Sequence, residues 1–479
     1  MAFLSAPFFC FFPVTVLGYA LLPRGLKAGW LLVMSWVFYL AAGPQYAPFL
    51  LCAILFSYGA GLLAGKGKRW AAPGTVILCM GILFIFKYLN FACSLAAGAL
   101  NALGFSISSP ALDLLLPAGL SFYLFAAMGY VLDVARGKLP PERNFLRYAL
   151  FLSFFPHLLS GPIPRAPQLL PQLKELPPVT WDGLREGLFR FLWGAFKKLV
   201  LADRLAILVN LVFGAPGEFG RLQVLLAAFA FSLQIYCDFS AYSDMALGAA
   251  RAMGFTLMEN FRAPYFARSI QEFWRRWHIS LSSWFRDYLY IPLGGSRRGT
   301  GRKYLNLLIV FAVSGLWHGA ALTFLVWGLL NGVYQVIGAI TAPVRSRIRS
   351  AVGLKDGRNV TALWQMGITF LLATSAWVFF QAPSLTLAGE FYGALLRGPW
   401  WVFTSIGLDR WDALAAAFGL LLLLVGDVLD QGKTPLAQRW REAPLPFRWG
   451  AALFLLVLTA VLGCYGPGYD AQSFIYFKY

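Results

Sequence analysis

Apolar segments long enough to cross a membrane recur along almost the whole 479-residue chain, and they limit its possible folds more than any other feature. A helix needs roughly 20 consecutive apolar residues to span a bilayer, and only helices and closed barrels satisfy their backbone polar groups in lipid. The candidate segments are 3–22, 29–42, 46–65, 73–91, 112–134, 146–163, 187–212, 222–250, 304–340, 363–381, 413–429 and 449–465. Several are too short or too long for one straight crossing, so some helices should be tilted, broken or re-entrant. We therefore predict an all-α polytopic membrane protein with about 11–13 transmembrane helices plus re-entrant and interfacial helices.

The charge composition also separates this chain from soluble enzymes. Only 13% of its residues are charged and 59% are hydrophobic, whereas roughly a quarter of the residues of a soluble domain are charged. The 40 Lys and Arg against 21 Asp and Glu give a formal charge of +19, an excess that in membrane proteins marks cytoplasmic loops and anionic headgroups. We expect membrane lipid, and no nucleic acid, among the partners. The six cysteines lie mostly in apolar runs without metal-binding spacing, so no metal site is predicted.

The distribution of basic residues predicts the orientation of the chain in the membrane. Lys and Arg follow the first, third and fifth segments, whereas the loops near residues 43 and 106 contain none. Because basic loops stay in the cytoplasm, the N-terminus should lie outside. Two later basic groups should also be cytoplasmic, which puts the C-terminus outside: Arg345, Arg347, Arg349, Lys355 and Arg358, and then Lys433, Arg439, Arg441 and Arg448. The first segment has no preceding basic region and is long enough to span, so we expect no cleaved signal.

His318 stands in the middle of the apolar segment 304–340, flanked by Gly315 and Gly319. An ionisable side chain is expensive in a bilayer, and a neutral imidazole can take a proton from a hydroxyl near neutral pH. The alternative is a histidine that is hydrogen-bonded between helices. If the basic groups on both sides of the segment are cytoplasmic, its residues form two helical arms with His318 near the turn. A single long tilted helix is the competing interpretation.

The segment 267–290 has a different pattern, with apolar residues at i, i+3 and i+4 and basic residues opposite. This pattern predicts an interfacial amphipathic helix with aromatic anchors. His278 lies at the edge of the apolar face, from which it could point into the protein. If the fold brings His278 and His318 together, the two could orient and deprotonate an acceptor hydroxyl.

Two polar groups each admit two interpretations. The residues Gln234, Asp238, Ser240, Tyr242, Ser243 and Asp244 interrupt an apolar run. They could line a polar tunnel that binds substrate, but we favour a structural role in which Asp238 or Asp244 pairs with Arg275 or Arg276. The basic residues between Arg275 and Lys303 could bind phosphates, since arginine forks match phosphate geometry, or could reflect topology and anionic lipid. His157 alone is interpreted as structural.

Several runs together resemble the membrane-bound O-acyltransferase family. They are LPAGLSFYLF (116–125), FFPHLLSGPIPR (154–165), QIYCDFSAYSDMALG (234–248), MENFRAPYFARSIQEFWRRWHISLSSWFRDYLYIPLGG (258–295), GLWHGA (315–320) and the tail SFIYFKY (473–479). The resemblance is good from about 116 to 340 and rests on hydropathy alone in the flanks. Cys237 stands where an aromatic residue is common and Ala241 where glycine is common. The runs DYLYIPLGGSRRG and FPHLLSGPI, with the extended C-terminal region, look most like the alginate O-acetyltransferase membrane subunit branch, and the teichoic acid D-alanyl transferase branch is the other similar one.

The resemblance implies a fold and a division of the chain. The family has a ring of helices around a thin central region, with a funnel opening outward and a donor tunnel opening to the cytoplasm. Residues 1–110 would be N-terminal transmembrane helices, 111–345 the catalytic core with the amphipathic helix 267–290, and 346–479 C-terminal transmembrane helices.

The resemblance also implies a reaction and its residues. The protein would lie in the inner membrane of a bacterial cell and would bind no cofactor. Acetyl would pass from cytoplasmic acetyl-CoA toward hydroxyls of an exported polysaccharide. The partner for this transfer would be an extracytoplasmic acetyltransferase or acyl-relay protein. His318 maps onto the essential histidine of the family and would be the general base, and His278 would orient the acceptor. A transient acyl-histidine is compatible with the same residues. The candidate substrate-binding residues are Trp317, Asp238, Ser240, Tyr242, Trp274, Arg275, Arg276, Trp277, Arg297 and Arg298, of which the four arginines would contact CoA phosphates. The rival functions are D-alanyl transfer from a carrier protein to a cell-wall polymer and a non-catalytic export scaffold.

Overall fold

The structure is a computed structural model that describes residues 1–108, 112, 114–351, 359–431, 440, 442–465 and 474–475. The regular elements of these residues are helices. They are α1 Ala6–Leu21, α2 Arg24–Leu40, α3 Ala47–Gly65, α4 Ala71–Leu83, α5 Leu89–Ala102, α6 Leu120–Ala135, α7 Phe145–Ser153, α8 Phe155–Leu158, α9 Ala166–Glu175, α10 Trp181–Phe196, α11 Asp203–Gly214, α12 Arg221–Ala252, α13 Ile270–Arg276, α14 Ile279–Phe285, α15 Thr300–His318, α16 Leu322–Ala351, α17 Asn359–Gln381, α18 Leu385–Arg397, α19 Arg410–Asp430 and α20 Leu445–Leu462. Wider π-helical turns occur at Phe84–Tyr88, Lys197–Ala202 and Arg286–Tyr290.

Seven helical stretches are long and apolar enough to cross a membrane, judged by length and composition of the described residues. They are Pro44–Gly65, Ala71–Ala102, Arg221–Ala252, Leu322–Ile348, Val360–Gln381, Arg410–Asp430 and Leu445–Leu462, and Ala6–Leu21 and Leu120–Ala135 are shorter apolar helices. The predicted all-α polytopic membrane class is confirmed. Seven is fewer than the predicted 11–13 for two reasons. The helices α1, α2 and α6 are short, with 16, 17 and 16 residues. Other apolar segments are divided: 146–163 holds both α7 and α8, and 187–212 is interrupted by the Lys197–Ala202 turn.

The chain forms two compact units. The first comprises Met1–Phe191 and Met245–Met258, and the second Leu192–Asp244 and Glu259–Tyr479. The predicted boundaries at 110 and 345 concern the catalytic core of the family and stay predictions. Of the predicted cytoplasmic residues, Lys355, Arg358, Lys433, Arg439 and Arg441 lie outside the described residues, as does most of the tail 473–479.

In the first unit, α3 packs against α4 and α6, and α2 packs against α7. An aromatic cluster fills its interior, in which Phe8 stacks on Phe191 with ring centroids 5.6 Å apart. The buried Tyr148 hydroxyl donates to Ser57 Oγ at 2.6 Å. His157 is buried, and its Nε2 lies 3.1 Å from the carbonyl oxygen of Phe151, within its own segment. This local bond agrees with the structural interpretation of His157.

In the second unit, α15 and α16 form an antiparallel hairpin, α16 also packs on α17, and α13 packs against both α16 and α17. The segment 304–340 is therefore two helical arms, as predicted, and the single tilted helix is excluded. His318 is the last residue of the first arm, and the second arm begins at Leu322.

The prediction of one continuous amphipathic helix over 267–290 is wrong. The segment contains the short helices α13 and α14 and the π-helical turn Arg286–Tyr290, with a break at Trp277 and His278. The predicted faces are nevertheless correct. The apolar residues are buried, namely Ile270, Phe273, Trp274, Trp277, Leu281, Trp284, Phe285 and Tyr288, while Arg275 and Arg286 are exposed. The periodicity identified the buried face but carried no information on the backbone break.

Candidate active site

His278 occupies a backbone kink that the neighbouring chain stabilises. Helix α13 begins at the cap of Ser269, whose Oγ accepts the Glu272 N–H at 3.1 Å, and it ends at Arg276. His278 then adopts a left-handed conformation, with φ of +44° and ψ of 54°, which costs a residue with a Cβ roughly 1–2 kcal/mol. The segment before α13 holds both sides of the kink, because Arg262 N–H donates to the Arg276 carbonyl at 3.0 Å and Ile279 N–H donates to the Asn260 carbonyl at 2.9 Å.

His318 is positioned by close packing of the α15–α16 hairpin. A Cβ on Gly315 would collide with the carbonyl oxygen of Phe324 and lie 3.2 Å from the Cα of Gly328. A Cβ on Gly328 would in turn collide with the carbonyl oxygen of Phe311. Only glycine at both positions allows the two backbones to approach so closely. Gly315, which flanks His318, therefore serves the packing of the two backbones.

The two histidines meet in the interior of the second unit. Their ring centroids are 6.2 Å apart with an angle of 55° between the planes. His278 is completely buried and His318 is 4% exposed. Although distant in sequence, they lie close enough for one hydroxyl between them to reach both rings, so the structure brings together the pair that the sequence singled out.

Aromatic rings enclose His318. The Trp327 ring lies 5.0 Å from it and the Phe380 ring 5.5 Å, both edge to face, and the neighbouring Trp317 ring lies 4.9 Å from it. Trp317 is also 5.9 Å from His278. These rings exclude bulk water, so a proton transfer here would take place in an environment of low polarity.

Two more predicted tryptophans belong to the same aromatic cluster. Trp274 packs on Trp327 with centroids 5.7 Å apart, and its Nε1 donates to Asn331 Oδ1 at 3.2 Å. Trp277 packs on Trp377 at 4.9 Å, and Trp377 in turn stacks on Trp327 at 5.4 Å. Trp274 and Trp277 therefore pack against the tryptophans on the side away from His318 and support the aromatic wall around it.

His278 is held by hydrogen bonding and by burial. Its Nδ1 lies 3.1 Å from Asn260 Oδ1, and the Phe239 ring on α12 packs edge to face against it at 4.6 Å. Burial lowers the pKa of His278 from its ordinary value of 6.5 to about 3. The imidazole is therefore neutral throughout the working pH range, which suits a group that orients a hydroxyl better than one that must hold a proton.

The acidic residues of α12 pair with lysines, so the predicted pairing with Arg275 or Arg276 is wrong. Lys198 Nζ lies 2.7 Å from Asp238 and 2.8 Å from Asp203, and Lys197 Nζ lies 2.6 Å from Asp244. The π-helical turn Lys197–Ala202 buries both ammonium groups beside α12, whereas Arg275 is exposed and Arg276 pairs with Glu272 at 2.7 Å. A buried carboxylate needs a cation close enough to pair with it, and here Lys197 and Lys198 are the cations that reach the carboxylates.

The predicted binding residues on α12 take part in this buried network. Ser240 Oγ accepts from Lys197 Nζ at 2.6 Å. Asp238 also accepts the backbone N–H of Ile475 at 2.7 Å, and the Tyr242 ring packs edge to face on Phe474 at 5.1 Å. These contacts favour the structural interpretation of Asp238, Ser240 and Tyr242 over direct substrate binding.

The four arginines that were predicted to contact the phosphates of the donor lie nearer the protein surface than the two buried histidines. Arg275, Arg297 and Arg298 are exposed. Arg276 is half-buried, bonded to Glu272 and also to Gln431 Oε1 at 2.8 Å. Exposed guanidinium groups are available to a phosphate in solution, whereas Arg276 already has partners.

Sequence reasoning missed three important residues. Lys197 and Lys198 lie in an apolar segment, and the cost argument that selected His318 would have selected them too. Asn260 could not be found in this way, because a single asparagine in a polar turn is unremarkable until the fold places it beside His278. Among the described residues, no group of three or more His, Cys, Asp or Glu side chains has the arrangement of a metal site.

Comparison of the sequence with known proteins places this chain in a family. The model of the membrane-bound O-acyltransferase family matches residues 48–381. A protein named probable alginate O-acetylase from Pseudomonas syringae pv. tomato is 38% identical over 413 residues, covering 84% of this chain and 76% of that protein. A peptidoglycan O-acetyltransferase from Helicobacter pylori is 34% identical over 417 residues, covering 79% of this chain and 76% of that protein. A teichoic acid D-alanyltransferase from Bacillus subtilis is 26% identical over 228 residues, covering 45% of this chain and 57% of that protein.

The matched region contains the hairpin, both histidines and the aromatic wall around His318. The sequence resemblance is thereby confirmed, and the chain belongs to the membrane-bound O-acyltransferase family as a multi-pass membrane O-acyltransferase.

Proposed function

We propose that this protein moves acetyl groups from cytoplasmic acetyl-CoA toward hydroxyls of an exported polysaccharide. The observation that carries the proposal is the pair of buried histidines, 6.2 Å apart and walled by indole rings. Two relatives that each cover more than three-quarters of this chain are named for O-acetyl transfer, to alginate in one case and to peptidoglycan in the other. Both names describe acetylation of a carbohydrate polymer.

The proposed reaction divides the work between the two histidines. His318 accepts the proton of the acceptor hydroxyl as its oxygen attacks the thioester carbonyl carbon. The new C–O bond forms, the C–S bond breaks, and the CoA thiolate takes up a proton. His278, neutral at working pH, orients the hydroxyl. The aromatic wall limits the access of water, which would otherwise hydrolyse the thioester.

The proposed topology places donor and acceptor on opposite sides of the bacterial inner membrane. The basic loops near Lys68 and Arg347 would be cytoplasmic, with both termini outside. The exposed Arg275, Arg297 and Arg298 would meet the phosphates of acetyl-CoA, which binds as a substrate. Acetyl would leave on the outer side to the polysaccharide, through an extracytoplasmic acetyltransferase or acyl-relay protein.

D-alanyl transfer from a carrier protein is the second candidate. It is supported by the Bacillus subtilis relative, at 26% identity over 45% of this chain. The same histidines would serve, but the donor would dock as a protein on the cytoplasmic face. The export scaffold, in contrast, requires no histidine chemistry.

One assay distinguishes the three candidate functions: acetyl transfer, D-alanyl transfer and the export scaffold. Purified protein in lipid nanodiscs is incubated with labelled acetyl-CoA, or with a D-alanyl-loaded carrier protein, and with oligosaccharide acceptors. Release of CoA with labelling of the oligosaccharide supports the proposal, and the His318→Ala variant serves as the control. Transfer from the carrier protein alone would establish the second candidate. No CoA release from acetyl-CoA and no transfer from the carrier protein, with polysaccharide acetylation and export both unchanged in His318→Ala cells, would establish the scaffold.

A further inference from the structure

The side-chain amide of Asn260 has a defined orientation. Asn260 is completely buried. Its Oδ1 lies 3.2 Å from the backbone nitrogen of Ser280, and Ser280 Oγ donates to the same oxygen at 2.9 Å. Because a backbone N–H only donates, the atom facing it must be the amide oxygen rather than the amide nitrogen. The nitrogen, Nδ2, accordingly faces the other way and donates to Ser243 Oγ at 3.1 Å.

This orientation determines where the hydrogen of His278 lies. The Nδ1 of His278 is 3.1 Å from the same Oδ1 of Asn260. An amide oxygen has no hydrogen to give, so the hydrogen between the two atoms must belong to Nδ1. A neutral imidazole carries one N–H, and its Nε2 then bears the lone pair.

We propose that Asn260 is a positioning residue that fixes His278 as the Nδ1–H tautomer and so presents Nε2 as the hydrogen-bond acceptor for the attacking hydroxyl. The tautomer assignment stands on the hydrogen bonds alone. Only its consequence for the hydroxyl rests on the proposed function.

Both the backbone and the side chain of Asn260 hydrogen-bond to the kink at residues 278–280. Its backbone carbonyl accepts the Ile279 N–H at 2.9 Å, while its side chain binds Ser280 and His278. One residue therefore holds the three consecutive residues 278–280, where the left-handed backbone of His278 would otherwise favour relaxation. The Phe239 ring packs on the imidazole, and the His318 ring faces it with the centroids 6.2 Å apart.

The tautomer can be read directly by ¹⁵N NMR of protein labelled only at histidine, because the chain contains three histidines. The His278→Asn variant assigns the signals by loss, and spectra are taken at a pH at which all three rings are neutral. In the wild-type protein we expect a protonated Nδ1 and an unprotonated Nε2 for His278. A protonated Nε2 would overturn the proposal without any activity measurement.

Three variants test the role of Asn260. Asn260→Ala removes the acceptor and should populate the Nε2–H tautomer, whereas Asn260→Asp keeps an acceptor oxygen and should retain Nδ1–H. Ser243→Ala removes only the partner of Nδ2 and should also retain Nδ1–H. Retention of Nδ1–H in Asn260→Ala, or its loss in Asn260→Asp, would overturn the proposal, so a folding failure of the alanine variant leaves the test intact.

Kinetics then test the consequence. The tautomer change in Asn260→Ala should lower kcat at least tenfold with the KM for acetyl-CoA unchanged, and Asn260→Asp should recover part of the loss. An unchanged kcat despite the altered tautomer would overturn the acceptor role of Nε2. If no acetyl transfer is measurable even in the wild type, the proposed function fails while the NMR result still decides the tautomer.

Discussion

His318 ends helix α15 among aromatic rings, with the neutral His278 beside it. A positioned general base contributes roughly 10²–10⁴-fold to a rate. His318→Ala should therefore lower the turnover of acetyl transfer by at least that order while the protein still inserts and purifies. His318→Asn should not restore activity, because an amide cannot take the proton. His278→Ala should lower turnover less, since His278 orients the hydroxyl.

The measurement is transfer from labelled acetyl-CoA at matched protein levels, alongside the thermal midpoint of each variant. A folded His318→Ala protein with near-normal transfer would refute the catalytic role and favour the scaffold.

His278 should also make stability depend on pH. Its pKa is about 3 in the folded protein against an ordinary 6.5. Between these values the unfolded chain binds a proton that the folded chain does not, so stability falls as the pH falls from 6.5 toward 3, by up to about 1.4 kcal/mol per unit. His278→Asn removes this group, and asparagine tolerates the left-handed backbone. Thermal midpoints measured across this window should fall more steeply for the wild type than for the variant, and parallel curves would contradict the assignment.

The sequence was informative at the residue scale where a side chain is costly in its surroundings. His318 was found because an ionisable group in an apolar segment requires a reason, and Lys197 and Lys198 obey the same rule. His278 was found at the edge of the apolar face of 267–290, and the resemblance then implied its role. Asn260 was not predictable, since its role depends on three hydrogen bonds to residues 18–20 positions away that exist only after the kink forms.

At the scale of elements, the α15–α16 hairpin determines where His318 lies. A methyl group on Gly315 would collide with the backbone carbonyl of Phe324, which cannot move without moving α16. Gly315→Ala should therefore destabilise the protein by about 1–3 kcal/mol and lower turnover by displacing His318. Gly338→Ala is the matched control, because it lies on α16 with no atom within 4 Å of its Cβ position. It should be neutral or slightly stabilising, since alanine favours helix by roughly 1 kcal/mol.

Thermal midpoints and acetyl transfer of the two glycine variants, measured side by side, test this prediction. Equal behaviour of Gly315→Ala and Gly338→Ala would show that the close approach at Gly315 does not constrain the hairpin.

The elements show which patterns carry structural information. The hairpin was predicted from the alternation of basic groups, because two cytoplasmic ends require a turn between them. The buried face of 267–290 was predicted from its apolar spacing. The division of that segment into α13, α14 and a π-helical turn was not, because apolar periodicity continues through a single left-handed residue without visible change.

At the scale of the whole molecule, hydropathy predicted the polytopic helical class, and specific runs predicted the family. It was harder to predict which basic residues form buried ion pairs and which lie in cytoplasmic loops. Lys197 and Lys198 proved to be buried partners of Asp244, Asp203 and Asp238, whereas exposed basic residues such as Lys68 and Arg347 remain as the basis for orientation.

The orientation prediction is tested by cysteine accessibility. Six native cysteines would first be replaced, because Cys10 and Cys52 are exposed. Lys68→Cys and Arg347→Cys then probe the predicted cytoplasmic side, and Ser106→Cys probes the predicted outer side; all three positions are exposed. An impermeant thiol reagent applied to intact cells should label only Ser106→Cys, because the basic loops are retained in the cytoplasm. Permeabilised cells should show labelling at all three positions, which controls for reactivity. Labelling of Lys68→Cys or Arg347→Cys in intact cells would contradict the proposed orientation, and with it the assignment of the exposed arginines to a cytoplasmic donor.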